Sequence, residues 1–95
     1  MFLISVTYTK GLDAIDRHLE GHVNFLKDQY AKGNFVMSGR KIPRTGGVIL
    51  SCVKTREELD AILAQDPFAM AKVADYEVTE FVASLVAPGL ERFKQ

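Results

Sequence analysis

Leu12-Asp-Ala-Ile-Asp-Arg-His-Leu-Glu-Gly-His-Val-Asn-Phe-Leu-Lys-Asp-Gln-Tyr30 is the stretch around which the rest of the chain is arranged. Leu12, Ile15, Leu19, Val23, Leu26 and Tyr30 recur every three or four residues, the period of a helix with one buried stripe. At about 100° per residue these six cluster around one direction, and His22 falls roughly 60° to its side. That predicts His22 at the margin of the stripe, where a polar group touches the core and still reaches a ligand. His18, one turn earlier, is expected further toward solvent. A boundary histidine bonded to backbone or water fits the same pattern, so the helix alone does not separate structure from function.

Working outward, Phe2, Ile4, Val6 and Tyr8 alternate with Leu3, Ser5, Thr7 and Thr9 and predict a first strand. Lys10-Gly11 breaks it, and Asp13 and Asp16 bring negative charge to the start of the helix, where its dipole favours them. Gly33, after Lys32, can take the left-handed conformation that ends a helix. Asn34 to Arg40 reads as a second strand, with Phe35 and Met37 on one face and Val36, Ser38 and Arg40 on the other. Lys41 to Gly47 (KIPRTGG) is a loop, and Val48 to Val53 a third strand. Thr55-Arg-Glu-Glu58 matches a capping box opening a second helix, with Leu59, Ile62 and Leu63 as its buried face. Asp66-Pro67 starts a short helix over Phe68 to Val73, aspartate as N-cap and proline at the first helical position. Tyr76 to Val86 reads as a last, long strand. Pro88-Gly89 then releases a short amphipathic piece, Leu90 to Phe93.

The order β-α-β-β-α-β, within one domain spanning residues 1–95, predicts an α+β ferredoxin-like fold. Its four strands form one antiparallel sheet with both helices on one face. If the alternation holds, Leu3, Ser5, Thr7, Val36, Ser38, Arg40, Ile49, Ser51 and Val53 project from the opposite face. That mixture is too apolar for water and too polar for a dry core. In the last strand Tyr76 and Val78 share one phase while Phe81, Ala83 and Leu85 share the other. A bulge near Thr79-Glu80, or burial of both faces, accounts for the switch. Both features predict two sheets packed face to face, as a homodimer or an assembly of dimers.

Composition excludes several classes. Apolar residues make up 47% of the chain and charged residues 25%, ordinary values for a globular domain. A domain of this size buries about 60–70% of the surface its unfolded chain exposes, so the core is modest. Twelve basic and twelve acidic residues cancel, and no overall field favours nucleic acid or an anionic membrane. The third strand also lacks the aromatic signature of a ferredoxin-like RNA reader. The single cysteine, Cys52, excludes an internal disulfide framework or a CxxC site. The first residues are too short for a signal core, and no apolar run approaches a membrane span. The expected location is the cytoplasm.

Four signals bear on chemistry. His18 and His22 are spaced like helical metal ligands, but the glutamate of His18-Leu-Glu-Gly-His22 stands one place later than a zinc HExxH motif requires, and no third histidine exists. No metal site is expected. Asp66 is explained by helix capping alone. Arg40, Lys41 and Arg44 on a glycine-ended hairpin can receive a carboxylate or phenolate, or simply protect a sheet edge. Cys52 is expected beneath the helices with Val48 and Leu50, as an inert thiol.

The chain resembles the YCII-related proteins, small dimeric α/β-barrel proteins with a histidine in the first helix and a late Asp-Pro-Phe helix start. The segments that carry the resemblance are His22-Val-Asn-Phe-Leu26, Gly33-Asn-Phe-Val-Met-Ser-Gly39, Gly47-Val-Ile-Leu50, and Glu57-Glu-Leu59 through Asp66-Pro-Phe68. Tyr76-Glu-Val-Thr-Glu-Phe81 extends it nearly to the end of the chain. The resemblance implies a histidine–aspartate pair, His22 and Asp66, with Ser38 and Gly39 bordering the same pocket. Where the family often continues that glycine with proline, this chain has Arg40-Lys41, a more basic loop.

The expectation that follows is a small-molecule enzyme in which His22 is general acid or base. Imidazole suits that work because its ordinary pKa of about 6.5 lets it exchange a proton near neutrality. Asp66 would fix the ring's tautomer and Arg40 would meet the substrate. The family includes a dehydrochlorinase acting on a chlorinated hydroxyhydroquinone, so elimination or isomerisation of an oxygenated ring is the concrete form. Proton transfer requires no cofactor, and no flavin, nicotinamide or PLP signature is present. Two other classes remain open: a non-catalytic dimeric metabolite-binding or assembly module, and an oxygenase of the related dimeric-barrel type using haem or a reactive quinol.

Overall fold

The alternation at the start of the chain becomes a central strand, β1 (Phe2–Tyr8), which pairs on both sides. A computed structural model describes residues 1–95. After β1 come α1 (Leu12–Ala31), β2 (Phe35–Arg40), β3 (Gly46–Ser51), α2 (Arg56–Leu63), α3 (Pro67–Met70) and β4 (Ala74–Glu80), then a 3-10 turn at Glu91–Phe93. The four strands form one antiparallel sheet in the order β2-β3-β1-β4. Phe2, Ile4 and Val6 meet Ile15 and Phe25 of α1, Leu59 and Leu63 of α2, and Phe68 of α3 in one core, so the helices share a face. This is the expected ferredoxin-like arrangement. No helix is long and apolar enough to cross a membrane.

The local stop and start signals act as expected. Gly33 follows the end of α1 at φ +76°, a conformation a side chain would strain. Thr55 Oγ1 accepts the Glu58 backbone N–H at 3.1 Å and opens α2. Asp66 caps α3, with Pro67 in its first turn.

Which residues face inward departs from expectation in three places. The buried face of α1 is centred on Ile15, His22, Phe25 and Gln29, rotated by roughly 80° from the expected stripe. Leu12, Leu19 and Tyr30 are exposed. Polar side chains with partners of their own occupy this face. Gln29, 2% exposed, accepts a hydrogen bond from Asn34 Nδ2 at 2.8 Å.

Strand β3 is turned over. Ile4 pairs with Ile49 and Phe2 with Ser51, so Ile49 and Ser51 lie under the helices, while Val48 and Leu50 face out. Both phases of this strand are apolar, so alternation could not choose between them; pairing with β1 does. Ser51 tolerates burial because its hydroxyl donates to the Asn34 carbonyl at 2.8 Å. Cys52 is therefore not beneath the helices with Val48 and Leu50. It is half-buried beyond the end of β3, with Sγ 3.1 Å from the Gly33 carbonyl oxygen.

In β2 a register shift at Val36 pairs Phe35 with Ser51 and Met37 with Leu50. The extra residue reverses the facing: Met37 turns outward, and Ser38 and Arg40 turn to the helix side. The outer sheet face thus carries Leu3, Ser5, Thr7, Met37, Val48 and Leu50, with Asp75, Glu77 and Thr79 of β4 beside them. Four of these, Leu3, Met37, Val48 and Leu50, border a shallow apolar depression.

The last strand is shorter than expected and unbulged. Glu80 pairs with Phe2, the first residue of β1, and there the strand ladder ends. The Phe81 N–H still donates to the Met1 carbonyl at 3.0 Å. Beyond it the change of phase reflects departure from the sheet. The tail returns at Gln95, whose backbone N–H donates to the Ala83 carbonyl at 2.9 Å.

Candidate active site

Helix α1 presents His22 where α3 packs against it. The close approach is made at Gly21: a Cβ there would stand 3.2 Å from Pro67 Cγ, tighter than ordinary van der Waals contact. The residue before Pro67 is Asp66, so the contact that seats α3 on α1 also brings Asp66 to His22. His22 Nδ1 lies 2.8 Å from Asp66 Oδ1, with the side chains 14% and 0% exposed. A carboxylate only accepts, so Nδ1 carries the hydrogen, and in the neutral ring Nε2 is then the nitrogen with the lone pair.

Asp66 is more than a cap. Oδ1 also accepts the Phe68 backbone N–H at 3.0 Å, and Oδ2 accepts the Tyr76 hydroxyl at 2.6 Å. Three donors therefore surround a carboxylate that no solvent reaches, which offsets the cost of burying it. The Phe68 ring supports the imidazole from one side, stacked 4.0 Å away at 10°. Tyr8 meets Phe68 edge to face at 5.8 Å.

Against this group opens a cleft of about 180 Å³. His22 and Phe68 line it together with Val6, Tyr8, Leu19, Leu26, Val48 and Ile49. Ser38, Gly39, Arg40, Gly46 and Gly47 complete the wall. The structure thus brings His22, Ser38, Gly39 and Arg40 to one cavity, with Asp66 directly behind the histidine. Ser38 Oγ is 2.6 Å from the Tyr30 hydroxyl, which ties β2 to α1. The bulge at Val36 is what aims Ser38 and Arg40 inward.

The other candidates lie outside the cleft wall. Arg44 pairs with Asp16 at 2.6 Å, and that hydrogen bond, with the carboxylate's charge, holds the guanidinium pKa up. Lys41 Nζ donates to Thr7 Oγ1 at 3.2 Å. Of the three basic loop residues, only Arg40 lines the cleft. His18 does not line it, and no three His, Cys, Asp or Glu side chains are grouped to hold a metal ion.

Sequence reasoning missed Tyr76, Phe68 as a platform for the imidazole, and Gly21 as the point of approach. A signal for Tyr76 existed: a tyrosine in the helix-facing phase of a strand needs a partner for its hydroxyl. Naming that partner required the fold.

Chemically, the site offers an oriented imidazole nitrogen, a cation at the rim and mostly apolar walls. It can move a proton on an uncharged or anionic small molecule.

Comparison with known proteins agrees with this architecture. The model of the YCII-related domain matches residues 1–82. A solved structure of 5-chloro-2-hydroxyhydroquinone dehydrochlorinase from Burkholderia phenoliruptrix AC1100, in complex with 2,5-dihydroxybenzoquinone, superposes with a TM-score of 0.74. It covers 84% of this chain and 91% of that one at 19% sequence identity, a likeness of fold. No curated protein matches the chain.

Proposed function

The chain belongs to the YCII-related family, and from that premise we propose that it is a small-molecule enzyme working by general acid–base chemistry at His22. One observation carries the reading: Nδ1 is held at 2.8 Å by a fully buried carboxylate, which leaves Nε2 for a molecule in the cleft. Asp66 orients the ring and stabilises the imidazolium that forms when Nε2 accepts a proton.

The cleft suits one oxygenated ring. Its volume of about 180 Å³ matches a single six-membered ring with substituents, and Leu19, Leu26 and Phe68 offer apolar surface for the ring faces. Arg40 at the rim would meet an ionised oxygen, with Ser38 and Gly39 alongside. The dehydrochlorinase of the same fold acts on a ring of this size, so elimination or isomerisation is the reaction we assign. In elimination His22 takes one proton, and the leaving anion, chloride for a halogenated ring, departs with its bonding pair. In isomerisation the proton returns to a different ring atom. Neither route consumes an electron acceptor.

The same reading includes a homodimer, or an assembly of dimers, with the outer sheet face as the shared surface. The bare apolar depression bordered by Leu3, Met37, Val48 and Leu50 supports it.

A screen of chlorinated and hydroxylated quinols, followed by chloride release and ring absorbance, tests the reaction. His22→Ala should lower turnover by about 100-fold or more, the range usual for general acid–base catalysis, and His18→Ala should matter little. Binding of such rings without turnover by wild type would move the protein to the metabolite-binding class.

A further inference from the structure

We propose that Tyr76 is a positioning residue, which locks the Asp66 carboxylate and tempers its pull on the His22 ring. This rests on the reading of His22 as the proton-transfer group. Tyr76 sits on β4 opposite Val6, on the helix side of the sheet, and its hydroxyl donates to Asp66 Oδ2 at 2.6 Å. The other oxygen, Oδ1, faces His22 and the Phe68 N–H. One carboxylate is thus pinned from β4 on one oxygen and from α1 and α3 on the other, and cannot rotate without breaking a bond.

Sharing has an electronic consequence. A hydrogen bond to Oδ2 draws negative charge away from Oδ1, so the His22 N–H meets a weaker acceptor than an unshared carboxylate would be. With the Tyr76 hydroxyl gone, Oδ1 should bind the Nδ1 hydrogen more strongly, and the carboxylate gains freedom to turn. Tyr76 keeps its own proton in this arrangement. Burial, then the hydrogen bond and charge of Asp66, pushes the phenol well above its ordinary pKa of 10.0. Of the other charged or titratable groups nearby, Arg40 from β2 and Tyr8 from β1 line the same cleft as His22, and His18 stands one turn earlier on α1. None of them bonds Asp66.

Tyr76→Phe tests the idea, since the ring and its packing stay. In the ligand-free protein the Nδ1 proton resonance of His22 should move downfield. The move should vanish when Tyr76→Phe is made in an Asp66→Asn background, because the coupling passes through the carboxylate. An unmoved resonance, or an equal move in both backgrounds, would overturn the proposal whatever the protein's reaction proves to be. If Tyr76→Phe does not fold, 3-fluorotyrosine at position 76 keeps the hydroxyl and makes it a stronger donor. The resonance should then move upfield, and no move overturns the proposal equally. With a substrate in hand, Tyr76→Phe should lower kcat at unchanged KM. Outer partners of metal-bound histidines set the scale, at roughly 10–100-fold. Wild-type kcat together with a moved resonance would overturn the positioning role alone, while a His22→Ala variant that turns over like wild type would overturn the reading of His22 on which it rests.

Discussion

Asp66 caps a helix and, on the proposed reading, also orients the reacting imidazole, and two substitutions pull these roles apart. Asp66→Ala removes an N-cap, worth about 0.5–2 kcal/mol. That cap is the bond to the Phe68 N–H; the change also strands an imidazole N–H and a phenol hydroxyl, each costing about 1–3 kcal/mol if left unpaired. We expect Asp66→Ala to lose at least about 2.5 kcal/mol in a denaturant titration, the sum of the low ends of these ranges. Asp66→Asn is isosteric. Its carbonyl keeps the bonds made by Oδ1, and the Tyr76 hydroxyl can turn to accept from the amide. That variant should stay folded within about 1 kcal/mol of wild type, near neutral as an N-cap exchange, yet lose turnover, because an amide cannot stabilise an imidazolium. Full activity in Asp66→Asn would remove Asp66 from the mechanism. Tyr76 carries a second expectation, in alkali. Its phenol pKa is raised in the native state, so above about pH 10 the unfolded chain has released a proton that the native state retains. Fewer protons on the unfolded chain make stability fall as pH rises, while below that pH the contribution is fully present. The melting temperature of Tyr76→Phe should therefore decline less steeply than that of wild type from about pH 9.5 upward. Parallel slopes would contradict the assigned environment of the phenol.

At the scale of elements, α1 shows how a count of apolar residues misplaces a face. The six regularly spaced residues point one way, but the helix buries a direction that contains His22 and Gln29. Both are polar and both have partners: Asp66 for one, Asn34 for the other. Once its polar atoms are bonded, such a side chain packs as well as an aliphatic one. The rotated face is testable by stability alone. Phe25, 8% exposed, should cost about 3–5 kcal/mol when truncated to Ala, as large core residues do. Leu12, 44% exposed, should cost under about 0.5 kcal/mol on the same change. Urea midpoints in the reverse order would restore the stripe read from periodicity. Strand β2 teaches the same lesson with one residue: Val36, inserted against β3, decides that Ser38 and Arg40 see the cleft.

For the whole molecule, the outer face of the sheet is the surface on which the proposed assembly rests. The corrected facing changes its composition. Ser38, Arg40, Ile49 and Ser51 leave it and Met37, Val48 and Leu50 join it, so its apolar residues gather on the first three strands beside Asp75 and Glu77 of β4. A second copy laid on this face would cover Leu3, Met37, Val48 and Leu50 together. Sedimentation at micromolar concentration should then show a species larger than the 10.6 kDa chain. Leu50→Glu should convert it to monomer by placing an unpaired charge in the interface. Ser51→Glu, by contrast, should unfold the domain, since Ser51 lies under the helices with no exposed surface. A wild type that sediments only as monomer would sink the homodimer.

The chain's own letters determined the order of its elements, the stop at Gly33, the caps at Thr55 and Asp66, and, through family resemblance, His22 and Asp66 as a pair. These signals act within a few residues: a glycine that takes a positive φ, a side-chain oxygen that meets an N–H two or three places on. Facing was not legible in the same way. In β3 both phases are apolar, so only pairing with β1 could choose, and in β2 only the bulge could turn Ser38 and Arg40 inward. The site's wiring was more distant still. His22 and Asp66 are 44 residues apart, and Tyr76 reaches the same carboxylate from the edge strand. A buried polar group is decided by the partner that satisfies it, and the partner's position is a property of the tertiary structure.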